Sequence, residues 1–524
     1  MKFLRAVTWI AICGGLGLTS ARASAADYWV TTAGKDDAAA GSSTAPWLTL
    51  QFAADHVKAG DTVHVKNGSY VGFDLRTGGT AASPVKFVGE GDAVMITSRN
   101  ARTPDGINVE GADYVTIENF TINGMPRTGA RCALSAFVTF RKIKADANHD
   151  WGILTGCCTD TILEDNVTTG SLVQHGIYFS NSGDRPIIRR NVIHGNVGAG
   201  LHMNGDITVD CSPKLTTDGI IDHAVIEDNV IYDNGSGSGI NCAGVQNSII
   251  RNNLLYGNHG SGISLYQGEA PEGAKNNLVV NNTILMAADG RWALNVNQAS
   301  TGNKIRNNIF FTLHPSRGSI VITADSLTGF DSDYNLLTPR MSPDGDPTTL
   351  DLAGWQALGY DEHGFAGTPD AVFVDATSDF HLEAGSPAID KGEAASAPPT
   401  DLTGAARPAG SAPDLGAYEY GATAPTDGGV LPDAATDAAG ADGAIADATG
   451  SDTATPVDGG SDVDAAGDGG GDSSSGCGCR TSGTTREGAG SFAAALGLLL
   501  TGFRLASRSR GSRRSTPSSS ARCR

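Results

Sequence analysis

The sequence is short of charge and of aromatic rings: charged residues make up 18% and Phe, Trp and Tyr together 6% of its 524 residues. It has no basic surplus either, with 57 acidic against 37 basic side chains and a net charge of −20. A nucleic-acid binder needs a cationic face that displaces counterions, so nucleic acid is excluded as a partner. The nine cysteines form no C-x-x-C pair and no His/Cys cluster of zinc spacing, so no metal is assigned. The apolar runs 6–18 and 491–503 fall short of the roughly 20 residues of a spanning helix. No helical period long enough for a βαβ crossover lies between the strand-like segments, which excludes doubly wound α/β folds.

What is present begins with an expected export signal over 1–25. Lys2 and Arg5 precede the apolar "AVTWIAICGGLGL", and "ASA" at 23–25 is an A-x-A cleavage pattern. The mature chain is then expected to start near Ala26, outside the cytoplasm. Charge is uneven beyond it. Residues 421–475 carry eleven Asp and no Lys, Arg or Glu, whereas 476–524 carry nine Arg and one Glu. Those two segments and the signal (+3) cancel, so the body over 26–420 holds the whole −20. Its five cysteines, Cys132, Cys157, Cys158, Cys211 and Cys242, allow one or two disulfides in an oxidising compartment and leave an odd thiol.

The Asp/Ala/Gly-rich 421–475 has too little apolar surface to fold and reads as an extended, self-repelling linker. After it come "GCGC" (476–479), the apolar 491–503 and an Arg-rich end. That layout resembles the myxobacterial-type C-terminal sorting signal: a Gly-Cys-Gly-Cys motif, a hydrophobic helix and a basic tail. The resemblance implies a cell-surface or outer-membrane location, with the membrane met only through 476–524.

Within the body one phrase recurs: aliphatics, a polar pair ending in Asn, then more apolar residues. It reads "VTIENFTI" (115–122), "TILEDNVTT" (161–169), "IIRRNVIH" (187–194), "VIEDNVIY" (225–232), "IIRNNLLY" (249–256), "LVVNNTIL" (278–285) and "KIRNNIFF" (304–311). The spacing aligns Asn119, Asn166, Asn191, Asn229, Asn253, Asn282 and Asn308 at a usual separation of 24–29 residues, with longer gaps of 47 after Asn119 and 38 after Asn191. Fixed-period strands without helices predict an all-β parallel β-helix, one rung per repeat, with the Asn stacked as an amide ladder.

On these repeats the chain resembles the right-handed parallel β-helix proteins of the pectate-lyase-like superfamily. Its entry, "YWVTTAGKDDAAAGSSTAPWLTLQFAADHVKAGDTVHVKNGSYVG", and its closing "HLEAGSPAIDKG" and "DLTGAARPAGSAPDLGAYEY" are similar to the end segments of such proteins. The expected organisation is an N-terminal cap and first rungs over 26–110, repeats over 111–340 and a closing segment over 341–420. A monomer is expected. The resemblance fixes no reaction, because this architecture hosts lyases, hydrolases, epimerases and adhesins.

The strand after each Asn phrase carries the candidate chemistry: "GIYFSNS" (176–182), "GLHMNGD" (200–206), "GINCAGV" (239–245), "GISLYQG" (262–268) and "ALNVNQA" (293–299). Alternation sends Ile177, Phe179, Leu201, Met203, Ile240, Cys242, Ile263, Leu265, Leu294 and Val296 inward. It sends Tyr178, His202, Asn204, Asn241, Ser264, Tyr266 and Asn295 outward as a strip about 20 Å long, suited to an extended polysaccharide. Proton abstraction beside a uronate carboxylate needs a base, a carboxylate partner and an acid. His202 is the candidate base and Tyr178 the candidate acid, with His175 supporting it. Asn204, Asn241, Ser264, Tyr266 and Asn295 are the candidate substrate contacts. The insertion 207–221 is expected to wall the strip.

Two other chemistries fit less well. Hydrolysis needs two opposed carboxylates, and Asp184, Asp206 and Asp210 lie off the aligned strand positions. A Ca2+-assisted lyase would have Asp206 and Asp210 beside Lys214, all in the loop that begins at Asp206, so Ca2+ stays open and no cofactor is assigned. The reading is a secreted, surface-anchored β-helix acting on an acidic polysaccharide by lyase or epimerase chemistry. A non-catalytic adhesin and a glycoside hydrolase are the alternatives.

Overall fold

The computed structural model describes residues 25–425 apart from Ser182 and Thr216. The export signal, the sorting tail and the linker beyond Pro425 lie outside the described residues. Among the described residues, no helix is long and apolar enough to cross a membrane.

Short parallel strands stack into a three-faced coil. One face is an 11-stranded sheet running from Phe73–Leu75 to Met341–Ser342. The other two merge into one 22-stranded sheet, because the long strands Thr62–Val71 and Val85–Ser98 bend through both. The inward residues are those that alternation selects: Ile177, Phe179, Leu201, Met203, Ile240, Cys242, Ile263, Leu265, Leu294 and Val296 are all fully buried in one continuous core. Each such aliphatic side chain contributes about 1.5–3 kcal/mol.

The expected Asn column is there. Asn166, Asn191, Asn229, Asn253, Asn282 and Asn308 each donate from Nδ2 to the Oδ1 of the next rung's residue at 2.9–3.0 Å. The column runs on through Asn335 to Asp361. The residue before each Asn is left-handed, as at Asp165, Arg190, Asp228, Asn252, Asn281 and Asn307 (φ 52–57°). That pair makes the corner between two faces, and the ladder offsets the cost of the left-handed residue. Asn119 is a correction to the sequence alignment. It occupies the left-handed position (φ 64°) and donates to the Gly89 and Gly91 carbonyls, outside the column. A rung at Val138–Arg141, between Asn119 and Asn166, also escaped the phrase.

A second amide column, Asn196–Asn234–Asn258, lines the corner that leads into the 11-stranded face. It explains the Gly before Ile177, Leu201 and Ile240, where a Cβ would crowd a ladder amide. A Cβ on Gly200 would stand 2.5 Å from Ile231 Cγ2, 2.8 Å from the Gly239 carbonyl and 3.0 Å from Asn234 Nδ2. Gly200→Ala is expected to destabilise the fold by about 1–3 kcal/mol, the usual cost of overpacking, as a lowered urea midpoint.

Both ends of the coil are covered. The helix Leu50–His56, capped by Thr49, lies against the first strand of the 11-stranded face, where the Gln51 side-chain amide donates to the Asp74 carbonyl and accepts from the Asp74 N–H. At the other end Trp355 is buried and donates to Asp361. The chain then returns along the outside of one face, where Val372, Phe373, Phe380, Leu402 and Leu415 pack on Val192, Val230, Leu254, Ile309 and Phe311. Phe380 ends an outer aromatic stack of His194, Tyr232 and Tyr256, with centroids 4.6–4.8 Å apart. Arg407, fully buried, pairs with Glu419 at 3.1 Å and holds this return segment together.

Candidate functional site

The 11-stranded face aligns Tyr178, His202, Asn241, Ser264 and Asn295 in one outward register, one residue per rung. A second register two residues on holds Ser180, Asn204, Ala243 and Tyr266. The candidate strip is therefore continuous.

Its centre is a hydrogen-bonded chain across the rungs. The Ala199 N–H donates to His175 Nδ1 at 3.0 Å, and His175 Nε2 lies 3.0 Å from His202 Nδ1. His202 Nε2 lies 3.3 Å from the Tyr266 hydroxyl, to which Asn241 Nδ2 donates at 2.8 Å. Both ring nitrogens of His202 are thus engaged by other side chains. Burial lowers the His202 pKa to about 4. His175 is also pushed well below its ordinary value, by burial first and the neighbouring His202 second. Both imidazoles are neutral at ordinary pH.

Tyr178 packs over this pair, 5.1 Å from the His202 ring and 5.3 Å from the His175 ring. Trp151, one rung back, stacks on Tyr178 at 5.6 Å. Asn204 is buried and donates to both the Tyr178 hydroxyl (3.3 Å) and Glu269 (2.9 Å). Ser264 faces outward in register but is buried, its hydroxyl paired with Ser238 at 2.8 Å. Asn295 is half-buried beside Asn297, which donates to it at 3.4 Å.

Trp151 and Glu269 are absent from the sequence reading. Trp151 precedes "GILTG", an earlier copy of the Gly–aliphatic strand phrase, and that copy is the signal that could have found it. Glu269 comes from a turn beyond its strand, where alternation gives no direction.

The insertion after Asp206 is tied back over earlier rungs. Cys211 forms a disulfide with Cys157, and Lys214 pairs with Asp113. Cys132 and Cys158 are buried with their sulfurs 2.7 Å apart, and Cys242 is buried separately. Asp206 and Asp210 close local turns, on Thr208 and Ser212, and Asp184 accepts from the Asp222 N–H. This donor set does not fit a shared cation, and among the described residues no group of three or more His, Cys, Asp or Glu could hold a metal ion. Lys214 is aimed at Asp113 and away from a role with those carboxylates.

Two partly buried groups, His202 and Asp228, set a pH signature. His202 binds its proton more weakly folded than unfolded, so its contribution to stability is present above pH 6.5 and falls away towards about pH 4. Asp228 has the opposite sign. Burial, then the Glu227 charge, raises its pKa from 3.8 to about 7, so its contribution is full below 3.8 and lost as pH rises through about 7. The two slopes oppose each other over the same window. Asp228→Asn removes one of them. Denaturation across pH 4–6.5 should then show stability falling with acid by up to about 1.4 kcal/mol per pH unit per histidine, more steeply than in the unsubstituted chain.

The family model described as "Right handed beta helix region" matches residues 63–212 and 214–332. The chain belongs to that family. Among solved structures, pectate lyase Pel9A is similar with a TM-score of 0.52 and 17% identity, covering 76% of this chain and 98% of that one. An alginate lyase from Paenibacillus sp. str. FPU-7 gives a TM-score of 0.36 at 18% identity, covering 52% of this chain and 93% of that one. A rhamnogalacturonan lyase gives 0.43 at 15%, covering 59% and 87%. No curated protein matches the sequence. The pectate lyase likeness supports the β-helix fold; it assigns no residue a role.

Proposed function

We propose that this right-handed β-helix protein acts on an acidic polysaccharide, by lyase or epimerase chemistry at the strip around His202. The carrying observation is the chain from His175 through His202 to Tyr266, with Asn241 on the same hydroxyl. It supports this reading because the linked imidazole, phenol and amide side chains lie along one rung-spaced face, with Tyr178, Trp151, Asn204 and Glu269 around them. The rungs stand about 4.8 Å apart, so neighbouring sugars of an extended chain can meet successive rungs. Removal of the proton beside a uronate carboxylate is the chemistry these groups suit, with His202 at the centre of the linked side chains and Tyr178 packed beside it. A pectate lyase shares the fold. Secretion and surface anchoring belong to the same proposal and rest on the terminal sequences alone.

The test is a screen of the purified chain on uronate polymers. An unsaturated product absorbing in the ultraviolet marks a lyase, and inverted uronate in an intact polymer marks an epimerase. New reducing ends without unsaturation would mark a hydrolase, and binding without turnover an adhesin; either would overturn the proposal.

A further inference from the structure

We propose that Tyr266 is the residue that exchanges protons with the substrate, and that His175 and His202 are positioning residues that aim an N–H donor at its oxygen. This rests on the reading of the strip as a uronate site and divides the labour within it.

The direction of the chain follows from one backbone group. An amide N–H can only donate, so His175 Nδ1, 3.0 Å from the Ala199 nitrogen, carries no proton. A neutral His175 then has its proton on Nε2, where it is donated to His202 Nδ1. A neutral His202 must in turn carry its proton on Nε2, facing the Tyr266 hydroxyl oxygen. That oxygen also receives the Asn241 amide. His202 therefore has no lone pair to offer a substrate, whereas Tyr266 gathers two N–H donors on one oxygen. Hydrogen bonds to the charged form of a group favour that form, and these two stabilise a phenolate.

The step balances on one residue. The Tyr266 phenolate takes the proton from C5 of a uronate, and the C–H electron pair becomes the C4=C5 double bond as the C4–O bond breaks. The departing oxygen takes the proton back from the phenol, and the phenolate is restored. No oxidant, reductant or second base enters.

Two readouts on the full chain test this. In turnover of a uronate polymer identified by the screen, Tyr266→Phe should lose roughly 10²–10⁴-fold in kcat. His202→Gln, which keeps an N–H donor, should retain at least about ten times the activity of His202→Ala. A Tyr266→Phe variant within about threefold of the parent, beside an inactive His202→Gln, would overturn the proposal. Independently of substrate, NMR of the imidazole nitrogens at pH 6 should find both rings neutral with the proton on Nε2. A proton on His202 Nδ1 overturns the proposal even if the polymer is cleaved. The expected tautomers without turnover of any uronate polymer by the parent chain would overturn the uronate reading and the catalytic role with it.

Discussion

Asn253→Leu is expected to destabilise the protein by about 4–5 kcal/mol, at the upper end of single-substitution effects. Asn253 is fully buried and its side chain makes four hydrogen bonds. It donates to Asn282 Oδ1 and the Ile226 carbonyl, and accepts from the Asn229 backbone and side-chain amides. Leucine fills much the same volume but satisfies none of these partners. Each stranded buried polar group costs about 1–3 kcal/mol, and relaxation of neighbouring rungs offsets part of the sum. Equilibrium denaturation measures the change. An effect below about 1 kcal/mol would show that the ladder contributes little to holding the rungs together.

His202→Ala is expected to lower turnover roughly 10²–10⁴-fold with the fold retained, read as kcat on the active polymer and as an unchanged thermal midpoint to within a few degrees. The side chain is half-buried on the outer face, so its loss opens no core cavity. What is lost is the bridge between His175 and Tyr266. Unchanged kcat would place the chemistry outside this chain of groups.

The fold was legible because each rung repeats the same physical solution. β-branched and aliphatic residues alternate, and an amide stands at the corner where it can reach the next rung. Asn119 shows the limit of that signal. Asn suits both the left-handed corner residue and the ladder position after it, as the doublets Asn252–Asn253, Asn281–Asn282 and Asn307–Asn308 show. A lone Asn can therefore be misaligned by one residue. Only the neighbouring rung decides.

The outward strip was legible for the same reason, since alternation alone fixes which side chains leave the core. Its chemistry was less so. Sequence alignment sets His202 beside Tyr178 and His175, but the direction of the proton chain depends on one backbone amide, that of Ala199. Glu269 reaches Asn204 from 65 residues away by way of a turn. Lys214 finds Asp113 across 101 residues, a pairing that strand periodicity does not encode.

The central claim is that this strip moves the proton beside a uronate carboxylate. Hydrogen exchange at that carbon tests it most directly, because elimination and epimerisation both break the same C–H bond. Incubating the active polymer with the full chain in heavy water, followed by mass spectrometry of its fragments, should show either deuterium at C5 or C5 converted to an unsaturated carbon. Both outcomes should be suppressed in Tyr266→Phe. A polymer cut or bound with every C5 hydrogen retained would contradict the account.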